Sequence, residues 1–211
     1  MLIDAAVLAG GRSSRLGSAA KASLQVNGHS LLEHAVAAAS RVSRTCVVVG
    51  PIDPGLLSAT VLITREDPPF SGPAAALAAG VRQLSARRTS KSTSDAILVL
   101  ACDMPGIAAQ IPLLATALAA APADADGAIS VDVFGQRQPL ACLYRTSALV
   151  DAISRFADSD LIGLSMRELI EPLTLIPVAA VLGATDDVDT WEDAARLGAT
   201  DSATEMKEDA E

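Results

Sequence analysis

Aromatic residues are nearly absent from this 211-residue chain: one Trp, one Tyr and three Phe. With so few stacking platforms, single-stranded nucleic acid is a poor ligand, and the core must be built from Ala, Val, Leu and Ile. Positive charge is also short, since 16 Lys and Arg against 25 Asp and Glu leave a net charge of −9. A field of that sign repels polyanions, so neither DNA nor RNA is an expected partner. A nucleotide is not excluded, because a local cluster of Arg, Lys and a divalent cation can still hold its phosphates.

Only three cysteines occur, Cys46, Cys102 and Cys142. None is spaced as C-x-x-C, and they read as buried thiols in a reducing compartment. The two histidines, His29 and His34, read as surface or packing residues rather than catalysts. No apolar run approaches the ~20 residues of a membrane span, and the opening residues lack the basic start of a secretory signal. The expectation is a cytoplasmic protein without membrane contact, a monomer or weak oligomer.

What is present is an alternation of short apolar runs with Ala-rich helical ones. Strands are expected at Ala5–Ala9, Thr45–Val49, Thr60–Thr64, Ala96–Ala101, Gly127–Val133, Pro139–Tyr144 and Leu173–Pro177. Between them the periodicity predicts helices from Ser30 to Arg41, Ala74 to Leu84, Ile111 to Ala121, Thr146 to Ala157 and Gly163 to Ile170, with a short one capped by Thr190. Ser30 and Glu33 have capping-box form, and Asn27-Gly28 is a turn signal. The polar, basic stretch 85–94 reads as a mobile surface connection, and 199–211 as an acidic disordered tail. Residues 1–198 then form one α/β domain, a mostly parallel sheet with helices on both faces. Ligands of such sheets lie beyond the carboxyl ends of the strands, which selects the loops Gly10–Lys21, Asp67–Pro73 and Cys102–Pro105.

In the first of these loops, Leu8-Ala9-Gly10-Gly11 is followed by Arg15, Gly17 and Lys21. Adjacent glycines after a strand let the backbone approach a ligand and turn. Successive N–H groups can form an anion nest, and Arg15 and Lys21 would add charge-assisted bonds to phosphate. The spacing matches neither a dinucleotide fingerprint nor a P-loop. Asp103 stands where a buried strand emerges.

The segment Leu8 to Lys21 resembles the signature of nucleotidyltransferases with a glycosyltransferase-A-like (nucleotide-diphospho-sugar transferase) fold. More narrowly, the chain resembles the molybdenum cofactor guanylyltransferases, the MobA-like proteins, over roughly 3–197. Asp67 with Gly72-Pro73-Ala74, Cys102-Asp103-Met104-Pro105, Gln138-Pro139-Leu140 and Asp187 through Asp193 resemble further family segments, in order. The resemblance implies transfer of GMP from GTP to molybdopterin with release of pyrophosphate. Arg15, Lys21 and Asp103 would be catalytic, Leu8, Ala9, Gly10, Gly11 and Asp67 would join them in holding the nucleotide, and Gly72, Gln138 and Pro139 would face the acceptor. Mg²⁺ would sit on Asp103 with Asp189 as second ligand. The chain departs from the family pattern at Ser18, Ala20, Ala76, Gly50-Pro51 and Trp191. A cytidylyltransferase for the same acceptor, a guanylyltransferase for another, and a non-catalytic nucleotide-binding regulator stay open as alternatives.

Overall fold

The computed structural model describes residues 1–10, 21–87, 93–188 and 190–200. The chain opens with β1 (Ile3–Leu8), buried along its whole length. Next comes a hairpin of β2 (Gln25–Val26) and β3 (His29–Ser30). Asn27 and Gly28 turn it with φ of 52° and 77°, the left-handed pair that a tight hairpin needs. Helix α1 (Leu31–Ser40) starts at the expected capping box: Ser30 Oγ accepts from the Glu33 N–H, and Glu33 accepts from the Ser30 N–H. There follow β4 (Cys46–Val49), β5 (Leu62–Thr64), α2 (Pro73–Ala86), β6 (Ala96–Ala101) and α3 (Ile111–Ala120). The second half holds β7 (Gly127–Val131), β8 (Arg137–Arg145), α4 (Thr146–Ser154), α5 (Met166–Ile170), β9 (Leu175–Ala179), α6 (Trp191–Arg196) and β10 (Ala199–Thr200).

Seven strands form one sheet in the order β5-β4-β1-β6-β8-β7-β9. All pairings are parallel except the two made by β8, which runs against β6 and β7. The fold is therefore α/β, with a mostly parallel sheet of the glycosyltransferase-A-like kind. β6 is buried at every position because helices cover both faces. On one face Leu32 and Ala35 of α1 pack with Ile111, Leu114 and Leu118 of α3. On the other, Ala74 and Leu77 of α2 pack with Leu149 of α4 and Leu169 of α5. Small side chains allow close layers: a Cβ added at Gly80 of α2 would stand 2.8 Å from Val49 Cγ2.

A third, smaller cluster joins Leu24, Val26 and Leu31 to Val188 and Ala194. It packs α6 and β10 against the β2–β3 hairpin, and β10 pairs antiparallel with β2. The expected tail at 199–211 therefore starts too early, since Ala199 and Thr200 are strand. The expected mobile stretch 85–94 is also too wide, because α2 runs through Ser85 to Ala86. The helix expected from Gly163 begins at Met166. Gly163 has φ 78°, and Ser165 caps the helix with Glu168 in a second capping box. Among the described residues no helix is long and apolar enough to cross a membrane.

Candidate nucleotide site

The parallel strands all end at one rim. Hydrogen bonds hold it together one step past the strands: Gly50 N–H to Thr64 O (2.9 Å), Ala9 N–H to Val49 O (2.8 Å) and Cys102 N–H to Leu8 O (3.1 Å). Leu8 and Ala9 are buried here and Gly10 is exposed. Gly50 backs directly onto this turn. A Cβ there would lie 2.7 Å from Ala9 O and 2.8 Å from Ala9 C, so only a glycine lets the β4 exit press against the start of the glycine loop.

The second loop leaves β5 and delivers exposed Asp67 to the same rim. A cis bond joins it to Pro68, Ser71 Oγ donates to Pro68 O (2.5 Å), and Gly163 N–H donates to Ser71 O (2.8 Å). Gly72 is the N-cap of α2 with φ 97°. This 14-residue helix aims its free N–H groups at the strand ends, an end that favours anions.

Asp103 follows β6 and is half-buried. Its carbonyl accepts from the N–H of Val188 at 3.1 Å. Val188 is itself fully buried against Leu24, Val26 and Leu31. One residue thus pins the carboxyl-terminal segment both to the β6 exit and to the hairpin that follows Lys21. The segment before it is tied down as well. Gln110, fully buried, accepts from the Val181 N–H (2.9 Å) and donates to Ala179 O (3.3 Å). A Cβ at Gly106 would fall 2.5 Å from Gly183 O.

The reversed strand brings its beginning, not its end, to this rim. Leu100 pairs with Ala141, so the next residues outward are 101–103 on β6 and 140–138 on β8. There β8 bulges: Ile129 pairs with Cys142, yet Ser130 pairs with Gln138. Bulges re-aim side chains and suit a proline, which has no N–H to offer a ladder. Pro139 O is instead satisfied by the hydroxyl of Tyr144 at 2.9 Å. Burial pushes the Tyr144 phenol well above its ordinary range, so it stays a neutral donor.

The described rim therefore carries Leu8, Ala9, Gly10, Asp67, Gly72, Asp103, Gln138 and Pro139. Lys21 opens a 3-10 turn, Lys21–Ser23, ahead of the hairpin. Gly11, Arg15 and Asp189 lie outside the described residues, although Val188, bonded to Asp103, directly precedes Asp189. Sequence reasoning missed Gln110, Val188 and the Asp132 partner of Gln138. Buried Cys46 and Cys142 take no part: burial pushes the Cys46 thiol up to about 12, and Cys142 Sγ donates to Ala128 O. His34 bonds Val26 O at 2.8 Å, a packing role. Among the described residues no three His, Cys, Asp or Glu side chains gather into a metal-binding group. Mg²⁺ needs no such group, since it takes one or two carboxylates with phosphate and water oxygens, and Asp103 fits that demand.

Solved structures share this architecture. A nucleotidyl transferase from Methanothermobacter superposes with TM-score 0.68 at 22% identity, over 93% of this chain and 95% of that one. Molybdopterin-guanine dinucleotide biosynthesis protein A from Archaeoglobus fulgidus gives 0.66 at 20% identity, over 92% and 96%. The bifunctional IspDF from Campylobacter jejuni gives 0.66 at 14% identity, over 94% of this chain and 55% of that one. At such identities the likeness is one of fold. None of the curated proteins compared matches the sequence. The profile of the MobA-like NTP transferase domain matches residues 5–175, most of the sheet and the rim loops that follow β1, β5, β6 and β7, and the chain belongs to that family.

Proposed function

We propose that the protein transfers GMP from GTP to molybdopterin, with release of pyrophosphate. The observation that carries this reading is the single rim to which β1, β5, β6 and the start of β8 deliver Gly10, Asp67, Asp103 and Gln138. A terminal phosphate of the acceptor attacks the α-phosphorus of the nucleotide. Such a displacement needs alignment and charge neutralisation more than a covalent nucleophile. The backbone of Leu8 to Gly11 reads the base edge, and Arg15 and Lys21 neutralise the triphosphate. Asp67 contacts the nucleotide from the second loop. Gly72 at the start of α2, with Gln138 and Pro139, faces the acceptor. Asp103, with Asp189, would hold Mg²⁺, which when bound would supply positive charge to offset that of the phosphates.

The test is purified protein with Mg²⁺, each nucleoside triphosphate in turn, and molybdopterin, scored for pyrophosphate and dinucleotide product. Product with GTP supports the reading, and product with CTP alone makes the protein a cytidylyltransferase. Nucleotide binding without product in every combination makes it a non-catalytic binding protein. Asp103→Ala should abolish metal-dependent turnover and leave the circular dichroism spectrum unchanged. Full activity in that variant removes Asp103 from the mechanism.

A further inference from the structure

The turn between β7 and β8 is organised by one carboxylate. Asp132 Oδ1 accepts from the backbone N–H of Phe134 (2.9 Å) and of Gln136 (2.8 Å). Its Oδ2 accepts from Gln138 Nε2 at 2.9 Å. The three bonds hold the Asp132 carboxyl below its usual range, the Gln136 N–H contributing most. An ionised carboxylate can only accept, so Gln138 has no choice of orientation: its NH₂ faces Asp132, and its carbonyl Oε1 faces away. Among the described residues nothing bonds to that oxygen. The cross-strand partner of Gln138 is Ser130, fully buried, and its hydroxyl also has no partner among the described residues. Cross-strand partners project on the same face. Both residues therefore lie on the face where the bulge re-aims β8, at the rim just beyond Leu100.

We propose that Asp132 is a positioning residue that fixes Gln138 as a hydrogen-bond acceptor, and that Gln138 Oε1 reads the amino or ring N–H edge of a pterin-type acceptor. The inference rests on the acceptor assignment above and supplies its polarity. An amide free to rotate would accept a donor or an acceptor edge equally. An amide locked by a carboxylate discriminates, because the wrong edge leaves a half-buried carbonyl facing another lone pair.

The test inverts the lock without breaking the turn. In Asp132→Asn, Oδ1 still accepts from Phe134 and Gln136, but Nδ2 now donates. Gln138 must then turn its carbonyl inward and present NH₂. The double variant Asp132→Asn with Gln138→Glu lets the new amide donate to one carboxylate oxygen while the other again faces outward. Molybdopterin is the probe, bound to the full chain without nucleotide and followed by calorimetry, and then used as acceptor in turnover. Asp132→Asn should weaken molybdopterin binding and raise its KM about tenfold or more, with kcat and the nucleotide KM moving less than about twofold. The double variant should recover most of the loss. In the free wild type, the Gln138 side-chain amide resonances should titrate with Asp132.

Equal molybdopterin affinity in all three proteins overturns the inference, as does a double variant no better than the single. A wild type that binds no molybdopterin overturns it too. Wild type that binds molybdopterin but turns over no nucleotide, with Asp132→Asn losing that binding, sinks nucleotidyl transfer and leaves the inference standing.

Discussion

Replacing Gln110 with Leu tests how the carboxyl-terminal segment is held on the rim. The side chain is fully buried just before α3 and acts as a short surrogate strand: Oε1 accepts from Val181 N–H and Nε2 donates to Ala179 O. Leu has nearly the same volume, so no large cavity opens. The cost comes from two backbone groups deprived of their partner. Each such orphan costs ~1–3 kcal/mol. The longer bond, at 3.3 Å, and partial rehydration at the end of β9 keep each near the lower end of that range, about 1–1.5 kcal/mol. The sum is about 2–3 kcal/mol, well inside the ~5–15 kcal/mol that a domain commonly holds in reserve. The variant should therefore fold. With a urea slope of about 2–3 kcal/mol per molar, its midpoint should fall by about 1 M. Amide exchange at Val181 should accelerate more than exchange in β1 or β6. A midpoint unchanged to within about 0.2 M, with Val181 still protected, would refute the reasoning.

Tyr144→Phe should cost about 1–2 kcal/mol in urea denaturation, because Pro139 O loses the hydroxyl that satisfies it. The same variant should raise the acceptor KM more than the nucleotide KM. Gly80→Leu should destabilise by ~1–3 kcal/mol through overpacking, seen as a lower thermal midpoint, since its Cβ already meets Val49 Cγ2. Glu33 and Glu168 are both lowered from 4.5, Glu33 chiefly by the Ser30 N–H and Glu168 chiefly by the Ser165 hydroxyl. A depressed carboxyl stabilises the fold fully above its unfolded value and loses that contribution as pH falls through the folded value. The double variant Glu33→Gln with Glu168→Gln should show a flatter decline in urea midpoint between pH 5 and pH 3 than wild type, on the order of those reference values.

Much of this architecture is legible in the residues. β6 falls at Ala96–Ala101 as its apolar run predicts, and the Ser30 and Thr190 caps stand where their motifs predict. These signals are local: a run of branched residues, or a hydroxyl three residues before an acid. β2, β3 and β10 escaped because two residues carry no periodicity, and they exist as strands only once α6 folds back over Leu24 and Val26. The site divides the same way. Asp103 is visible as the residue that ends a buried run. The bond from Val188 to Asp103 joins residues 85 apart in the chain, and no spacing rule encodes it. The bulge that re-aims Gln138 is a mismatch between two strands, so neither strand alone contains it.

The single reversed strand also bears on how such a protein can diversify. Parallel strands reach the rim only at their ends, and β1, β5 and β6 each return to the sheet through a helix, α1, α2 or α3. A change there must preserve the passage back across the layer. β7 and β8 meet the rim through a tight turn, 132–136, that returns at once. Residues can be inserted into or exchanged within that turn without re-threading any connection. The rim therefore has a conservative side, bound to the sheet's wiring, and a side free to be rewritten, and a lineage could exchange one partner molecule while keeping the other.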